Sequence, residues 1–430
     1  MTLAKLRQAY TSSRIIDGMG AVFSGYMVVE NGRIIDVQKG ALPDAVRTEA
    51  QTQMVELGEH TILPGMIDCH VHLTMDATPQ VGPISTDEEK MLAFLRASRN
   101  ALRTLHGGVT TVRDCGTQGN VDFALRRAAS EGLCVTPRLL LSGEALCMTG
   151  GHGWRFLGQE VDGVDGVRKA ARQRLKAGAD NVKLIATGGI LTPGGAIGNA
   201  QMSVDEMRAA TDEAHNAGKI SAAHAHAAQG IKNAVLANVD SIEHGYFIDP
   251  EGIDLMLRHG TWLVATSTPI RNVVTHGLAG GLSQDMVDKA QSAIDAHVSS
   301  FKQARAAGVK LAMGTDAGVP YTPHGSNLDE LVYFVEMGMT PMEAIQVTTR
   351  DSARMLKMDH LVGTLEVGKC ADFIVVEGDP LVDISILRAP AAIRKVVLNG
   401  RLVMDRDASQ FLVGAAFGDQ AVIGSRFFDA

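Results

Sequence analysis

The chain has 430 residues, 45% of them hydrophobic and 20% charged, with a formal net charge of −8. This is the composition of a globular protein with room for one barrel-sized domain of about 250 residues and a second, smaller one. No basic stripe is present and no run approaches the ~18 apolar residues of a membrane span, so neither nucleic acid nor a membrane is expected as a partner.

The five cysteines (Cys69, Cys115, Cys134, Cys147, Cys370) are odd in number and share no close Cys-x-x-Cys spacing. They predict reduced, buried thiols, not a disulfide framework or a cysteine-ligated zinc site. Met1–Lys5 lacks the apolar core of about 7–15 residues that marks a signal peptide, and a cytoplasmic protein is expected.

Residues 1–63 carry short alternating apolar runs. Asn31-Gly32 between Gly25–Glu30 and Arg33–Val37 predicts a hairpin. The same texture returns over residues 362–430, in Ala371–Val376 and in Ile393–Leu398 followed by Asn399-Gly400 and Arg401–Met404. The two ends are expected to combine into one small β-sandwich domain, with residues 64–361 inserted between them.

The middle changes rhythm. Eight buried-strand candidates follow one another: Met66–Leu73, Val109–Asp114, Arg138–Gly143, Asn181–Ala186, Ile220–His226, Ser241–Gly245, Trp262–Thr268 and Lys310–Asp316. Helix-period stretches lie between them, among them Asp87–Leu105, Val121–Glu131, Val164–Ala177, Val204–Ala217, Gln229–Ala237 and Asp285–Ala307. Eight strand–helix units in series predict an α/β fold, a (β/α)8 TIM barrel with its site at the C-terminal ends of the strands.

Polar residues gather at those ends. Pro64–Leu73 is an apolar run opened by a Pro-Gly turn, and its His70 and His72 project to the same side of a strand. Further along come Asp114, Lys183, His224 with His226, His244 and Asp316. A core chosen for stability alone would not place His, Lys and Asp at one end of one barrel. Lys183 sits inside the apolar run Asn181–Ile185, where an unpaired ammonium costs several kcal/mol.

The ordered set His70-x-His72, Lys183, His224, His244, Asp316 resembles the amidohydrolase superfamily in its binuclear-metal form, over essentially the whole chain. Eight local runs resemble one branch of it: Pro64–Leu73, Gly108–Asp114, Thr149–Gly153, Val182–Ile185, Ala223–Ala225, Ser241–Gly245, Gly314–Asp316 and Gly368–Asp372. That branch holds Xaa-Pro dipeptidases (prolidases), arginine/lysine carboxypeptidases and ochratoxin-type N-acyl-amino-acid hydrolases.

The resemblance implies that Lys183 reacts with CO2 to give a carbamate that bridges two divalent metal ions. Burial favours the neutral amine that such a reaction needs. His70, His72 and Asp316 would hold one ion, His224 and His244 the other, with a hydroxide between them. Imidazole and carboxylate donors suit zinc and other first-row divalent ions. Asp316 is expected as general acid/base, taking a proton on attack and giving it to the leaving amine. His226 and His152 are the expected substrate contacts. Tyr246 is weighed between pocket and core.

Arg113 and Asp114 are expected to form a buried ion pair supporting the site from beneath. The loop Thr187–Gly195 is expected in the pocket wall, and it lacks the GxxxxGK[ST] pattern of a phosphate loop. The remaining histidines are read as background, with His324 the one nearest the eighth strand.

The expected function is hydrolysis of the amide bond of a small molecule, a dipeptide or N-acyl amino acid, by a homo-oligomer. A lactonase, cyclic amidase or phosphotriesterase-like hydrolase is the alternative on the same site. Deaminases fit less well, because position 227 is Ala and a lysine occupies the bridging position. A scaffold that has lost its metal is disfavoured, because all six expected ligands are present.

Overall fold

The computed structural model describes residues 7–49, 52–194, 196–408, 411–412 and 423–424. Met1–Lys5, read above for a leader, and Gly195 of the loop after Lys183 lie outside the described residues. The chain opens on strands β1 (Arg7–Ile16), β2 (Val22–Glu30) and β3 (Arg33–Lys39), paired as an antiparallel meander. Asn31 and Gly32 join the last two with φ of 50° and 80°. That pair of left-handed residues is what a tight hairpin turn matched to strand twist requires. β1 also pairs in parallel with β4 (Thr52–Glu56) and β5 (Thr61–Pro64).

Two parallel sheets follow. β6 (Met66–Val71), β7 (Val109–Asp114) and β8 (Arg138–Leu140) form the first. The second comprises β9 (Ala145–Cys147), β10 (Gly158–Glu160), β11 (Asn181–Ile185), β12 (Ile220–Ala227), β13 (Ser241–Phe247), β14 (Trp262–Val264) and β15 (Leu311–Ala312). Its order is β10-β9-β11-β12-β13-β14-β15. Every residue of β6, β7 and β11 is buried, as in parallel strands covered on both faces.

Backbone hydrogen bonds connect the two sheets on both flanks. Asp180 and Asn181 N–H donate to Leu141 O on one side, and Cys69 and His72 N–H donate to Met313 O and Ala317 O on the other.

The helices between strands press alanine-rich stripes onto this core. In Asp87–His106 the buried residues Ala93, Ala97, Ala101 and Leu105 recur every four positions, one face of a 3.6-residue period. Capping boxes start three helices, Thr86 with Glu89, Ser203 with Glu206 and Thr340 with Glu343.

Three sequence expectations are corrected here. Trp262–Thr268 is not all strand: β14 stops at Val264, Thr266 turns left-handed at φ 48°, and a helix starts at Ser267. The cause is 62 and 63 residues away, where the buried Glu330 carboxylate accepts the N–H groups of Thr268 and Ser267 at 2.8 and 2.7 Å. Likewise Lys310–Asp316 shortens to β15, because Ser352 Oγ takes the Met313 N–H and Asp316 is left-handed at φ 58°. Arg138–Gly143 ends as strand at Leu140, and β9 and β10 are strands the pattern did not announce.

The chain then returns to the first sheet. β16 (Phe373–Val376) pairs antiparallel with β5, and β17 (Ile393–Leu398) and β18 (Arg401–Asp405) extend it to the order β18-β17-β16-β5-β1-β2-β3. Strands from both chain ends thus share one sheet. Its joint to the middle is polar. Buried Asp372 accepts Arg138 Nη2 at 3.0 Å and Asn399 N–H at 2.7 Å.

Candidate metal centre

His70 and His72 leave the end of β6, and both are buried. Asp316 meets them from the turn after β15, with Oδ1 3.4 Å from His70 Nε2 and 3.0 Å from His72 Nε2. His224 and His226 come from β12 and His244 from β13. Their rings stand close, with centroids 4.5 Å apart for His224–His226, 4.6 Å for His224–His244 and 4.8 Å for His226–His244. His70 joins the two groups, its centroid 5.0 Å from that of His244. Lys183 from β11 lies in the same cleft. The structure therefore gathers all eight singled-out residues, His152 included, around one cleft.

The hydrogen bonds decide which ring nitrogens remain available. His70 Nδ1–H donates to Glu243 Oε2 at 2.8 Å and His72 Nδ1–H to the Gly116 carbonyl at 3.1 Å. The Thr266 hydroxyl donates to the Ala265 carbonyl, so it accepts from His244 Nδ1–H, at 2.7 Å. These three rings keep Nε2 as a free electron pair. His224 is reversed: its Nε2–H donates to the Gly188 carbonyl at 3.2 Å, leaving Nδ1. Outer partners of this kind fix the tautomer of a ligating histidine.

This arrangement has a consequence at Asp316. With Nδ1–H of His72 already committed to Gly116, an electron pair on Nε2 faces a carboxylate oxygen at 3.0 Å. Two electron-pair donors at that distance require a cation between them, a proton or a metal. Burial opposes charge on both, yet Asp316 raises the His72 pKa, and the nearby histidines hold the Asp316 carboxyl down at about 2. His224 and His244 shift the other way. Burial holds both well below the usual imidazole value, and neighbouring histidines and Lys183 add to it. Neutral imidazoles are the form a metal binds.

Lys183 is the anomaly. Its Nζ is buried without a hydrogen-bond partner, and its charge depresses His70, His224 and His244 together. A buried ammonium without a hydrogen bond is unfavourable by several kcal/mol, and the Asp316 and Glu243 carboxylates offset part of that cost through space. Two three-residue donor groups, His70–His72–Asp316 and His224–His226–His244, flank it with ligand atoms within 4.8 Å of one another in each. These two groups are donor sets of the kind that hold divalent metal ions.

Local backbone strain converges on the same point. His244, Thr266 and Asp316 are non-glycine residues with φ of 74°, 48° and 58°. Left-handed backbone at such residues costs on the order of 1–3 kcal/mol each and persists where surroundings enforce it. At His244 the turn lets two consecutive residues serve the site: Glu243 reaches His70 from behind while the imidazole of His244 faces the cleft.

Glu243 is the functional residue the sequence reading missed. Fully buried, it also binds Arg113 Nη2 at 2.7 Å and accepts the Ser241 hydroxyl at 2.5 Å. Arg113 Nε donates to the Cys69 carbonyl at 2.6 Å, so the guanidinium ties β7 to β6 and β13 under the histidines. The expected Arg113–Asp114 pair is thus corrected. Adjacent strand residues point to opposite faces, and Asp114 instead accepts the N–H groups of Leu73 and Gly116 and the Thr117 hydroxyl. An acid beside a histidine in the buried run Ser241–Gly245 was the available signal.

His152 sits over His224 with centroids 4.5 Å apart and bonds Thr192 Oγ1 through Nδ1 at 2.8 Å. His226 has no partner for Nδ1 and packs on Tyr246 at 4.4 Å. Tyr246 lines the cleft, as do Ile190 and Leu191 from the loop after β11. His324 proves buried, bonding the His72 carbonyl at 3.1 Å and Thr104 on its other side.

Residues 61–403 match the model of the amidohydrolase family. The chain belongs to this family. As an amidohydrolase it is a hydrolase acting on amide bonds, and its relatives lie in the expected branch. It is 32% identical over 373 residues to the ochratoxinase of Aspergillus niger, covering 79% of this chain and 75% of that one. A solved Xaa-Pro dipeptidase with methionine bound in its active site superposes with a TM-score of 0.83, 34% identity, and coverage of 92% and 99%. A prolidase complexed with N-methylphosphonate-L-proline gives 0.84 and 30%, with coverage of 93% and 100%. Among the described residues, no helix of this amidohydrolase is long and apolar enough to cross a membrane.

Proposed function

We propose that this amidohydrolase uses two divalent metal ions to cleave the amide bond of a dipeptide or an N-acyl amino acid. The observation that carries the reading is Lys183: a buried, unpartnered amine encircled by histidines and one carboxylate. Carbamylation would exchange the misplaced cation for an anion that two metals can share. In this reading His70, His72 and Asp316 hold one ion, and His224 and His244 hold the other. The free Nε2 of three rings and the free Nδ1 of His224 support that assignment.

Two bound ions, zinc by donor chemistry, would polarise the scissile carbonyl and acidify water. The residues supply the rest. Asp316, ionised at neutral pH, accepts a proton as water attacks and returns it to the amine nitrogen of the leaving group. His152 and His226, both neutral because burial depresses them, offer hydrogen bonds to the substrate without adding charge. Glu243 and Arg113 hold the His70 ring in place during the cycle.

The fold that goes with this reading is a (β/α)8 barrel over residues 64–361 with a β-sandwich built from residues 1–63 and 362–430. The hydrogen bonds joining the two parallel sheets on both flanks support it, as does the sheet shared by both chain ends. A cytoplasmic homo-oligomer completes the reading. The exposed Met91, Leu92 and Leu95 on helix Asp87–His106 support the assembly.

The test is metal content and activity together. Protein prepared with bicarbonate and zinc should hold about two ions per chain. Lys183→Ala should lower that count and cut hydrolysis of dipeptides and N-acyl amino acids by more than about 1,000-fold. One ion per chain, or cleavage untouched by the substitution, would remove the bridging carbamate. A full metal count with no amide cleaved would move the activity to lactones, cyclic amides or phosphotriesters.

A further inference from the structure

Resting on the amide-cleaving reading above, we infer that the side chains flanking the scissile bond are apolar, and that arginine and lysine side chains are rejected. The first ground is the charge inventory of the cleft. Among the described residues lining it, the only side chains with a full charge in ordinary form are Lys183 and Asp316. Asp316 is engaged with His70 and His72, at 3.4 and 3.0 Å, and Lys183 sits among the metal-donor residues. A guanidinium or ammonium side chain seated against this wall would lose its water without meeting a free carboxylate.

The second ground is how the wall is built. Phe156, Leu157 and Val319 belong to one buried apolar cluster and Ile190 and Val273 to another, and Leu191 packs against both. The mouth of the cleft therefore lies between two preformed hydrophobic surfaces bridged by a single leucine. Gly189 keeps that bridge in place, because a Cβ there would stand 2.4 Å from His152 Nε2. Such a wall gains free energy from each methylene it covers and offers nothing to a charge.

The experiment compares kcat/KM of the zinc-loaded enzyme on N-acetyl amino acids and on alanyl dipeptides carrying leucine, methionine, phenylalanine, lysine, arginine or glutamate. Methionine against lysine, both unbranched and differing by one heavy atom in length, is the decisive pair. We expect a preference for methionine on the order of 100-fold, the range a hydrophobic pocket delivers. Leu191→Asp, half-buried and outside the metal-donor set, should narrow that ratio by about tenfold or more by giving the cation a partner.

Lysine or arginine substrates cleaved within a few-fold of methionine would overturn the inference and leave the amide reading standing. So would a ratio unmoved in a Leu191→Asp protein that retains its metal content. Absence of cleavage for every member of the panel by fully loaded enzyme would instead overturn the amide reading itself.

Discussion

Glu243 accepts the Nδ1–H of His70 through one oxygen and holds Arg113 through the other, so it cannot be replaced by a residue with a single acceptor. Arg113, buried alongside it, opposes the cost of burial and holds the Glu243 carboxyl well below its ordinary range. Glu243→Gln leaves either the imidazole or the guanidinium without an acceptor. We expect zinc affinity at the His70–His72 side to fall about 10–100-fold, the usual effect of losing an outer partner of a ligating histidine. Chelator competition on the loaded protein measures it, and unchanged affinity would separate Glu243 from the site. Glu243→Ala leaves the buried Arg113 charge without its carboxylate, with the Cys69 carbonyl and the Ser241 hydroxyl still to bond, and should destabilise the metal-free fold by about 3–5 kcal/mol, read from urea unfolding.

At the scale of elements, the pair His215–Asp240 clips helix Val204–Asn216 to the turn before β13, with Nε2 2.8 Å from Oδ2. The Asp240 bond raises the His215 pKa. Burial opposes the shift at Asp240, yet His215 and the Ser221 N–H lower its carboxyl below its ordinary value. A histidine raised in the folded state stabilises fully below its unfolded value near 6.5, and that support is lost as pH rises through the folded value. An aspartate lowered in the folded state stabilises above about 3.9 and loses that support as pH falls through its folded value. The pair therefore contributes most between the two. His215→Gln should destabilise more at about pH 5.5 than at about pH 8.5, by less than about 1 kcal/mol because the ring is partly exposed. Thermal unfolding at the two pH values would show it; an equal loss at both would mean the charge is not involved.

What the sequence disclosed about these elements follows a physical line. The positions of all eight buried-strand candidates and the polar residues at their ends were legible, because burial on both faces leaves a dense apolar run that few other structures tolerate. Strand ends at 264 and 312 were not legible. They are fixed by Glu330 and Ser352 reaching back from distant helices, and by left-handed turns at Thr266 and Asp316 that their residue types do not favour. Glu243 was hidden for a related reason: its partners His70 and Arg113 lie more than a hundred positions upstream. Local pattern reports which face a residue occupies, not what waits there.

Across the whole molecule, β5 lies between β1 and β16, so the sheet of the chain ends depends on strands from opposite ends of the sequence. Removing residues 373–430 would strip β5 of a neighbour along Thr61–Pro64, a run buried at every position. An apolar strand with an open edge templates association, and we expect the shortened chain to accumulate as insoluble aggregate; a soluble, zinc-binding product would show that the middle segment stands alone. The same topology sets an order of events during synthesis. β5 leaves the ribosome hundreds of residues before β16 can pair with it. The nascent chain must carry that unpaired apolar edge through nearly all of translation, and the sheet can close only once the last strands have emerged. The interval during which that edge stands open is thus written into the strand order, independently of how stable the finished molecule is.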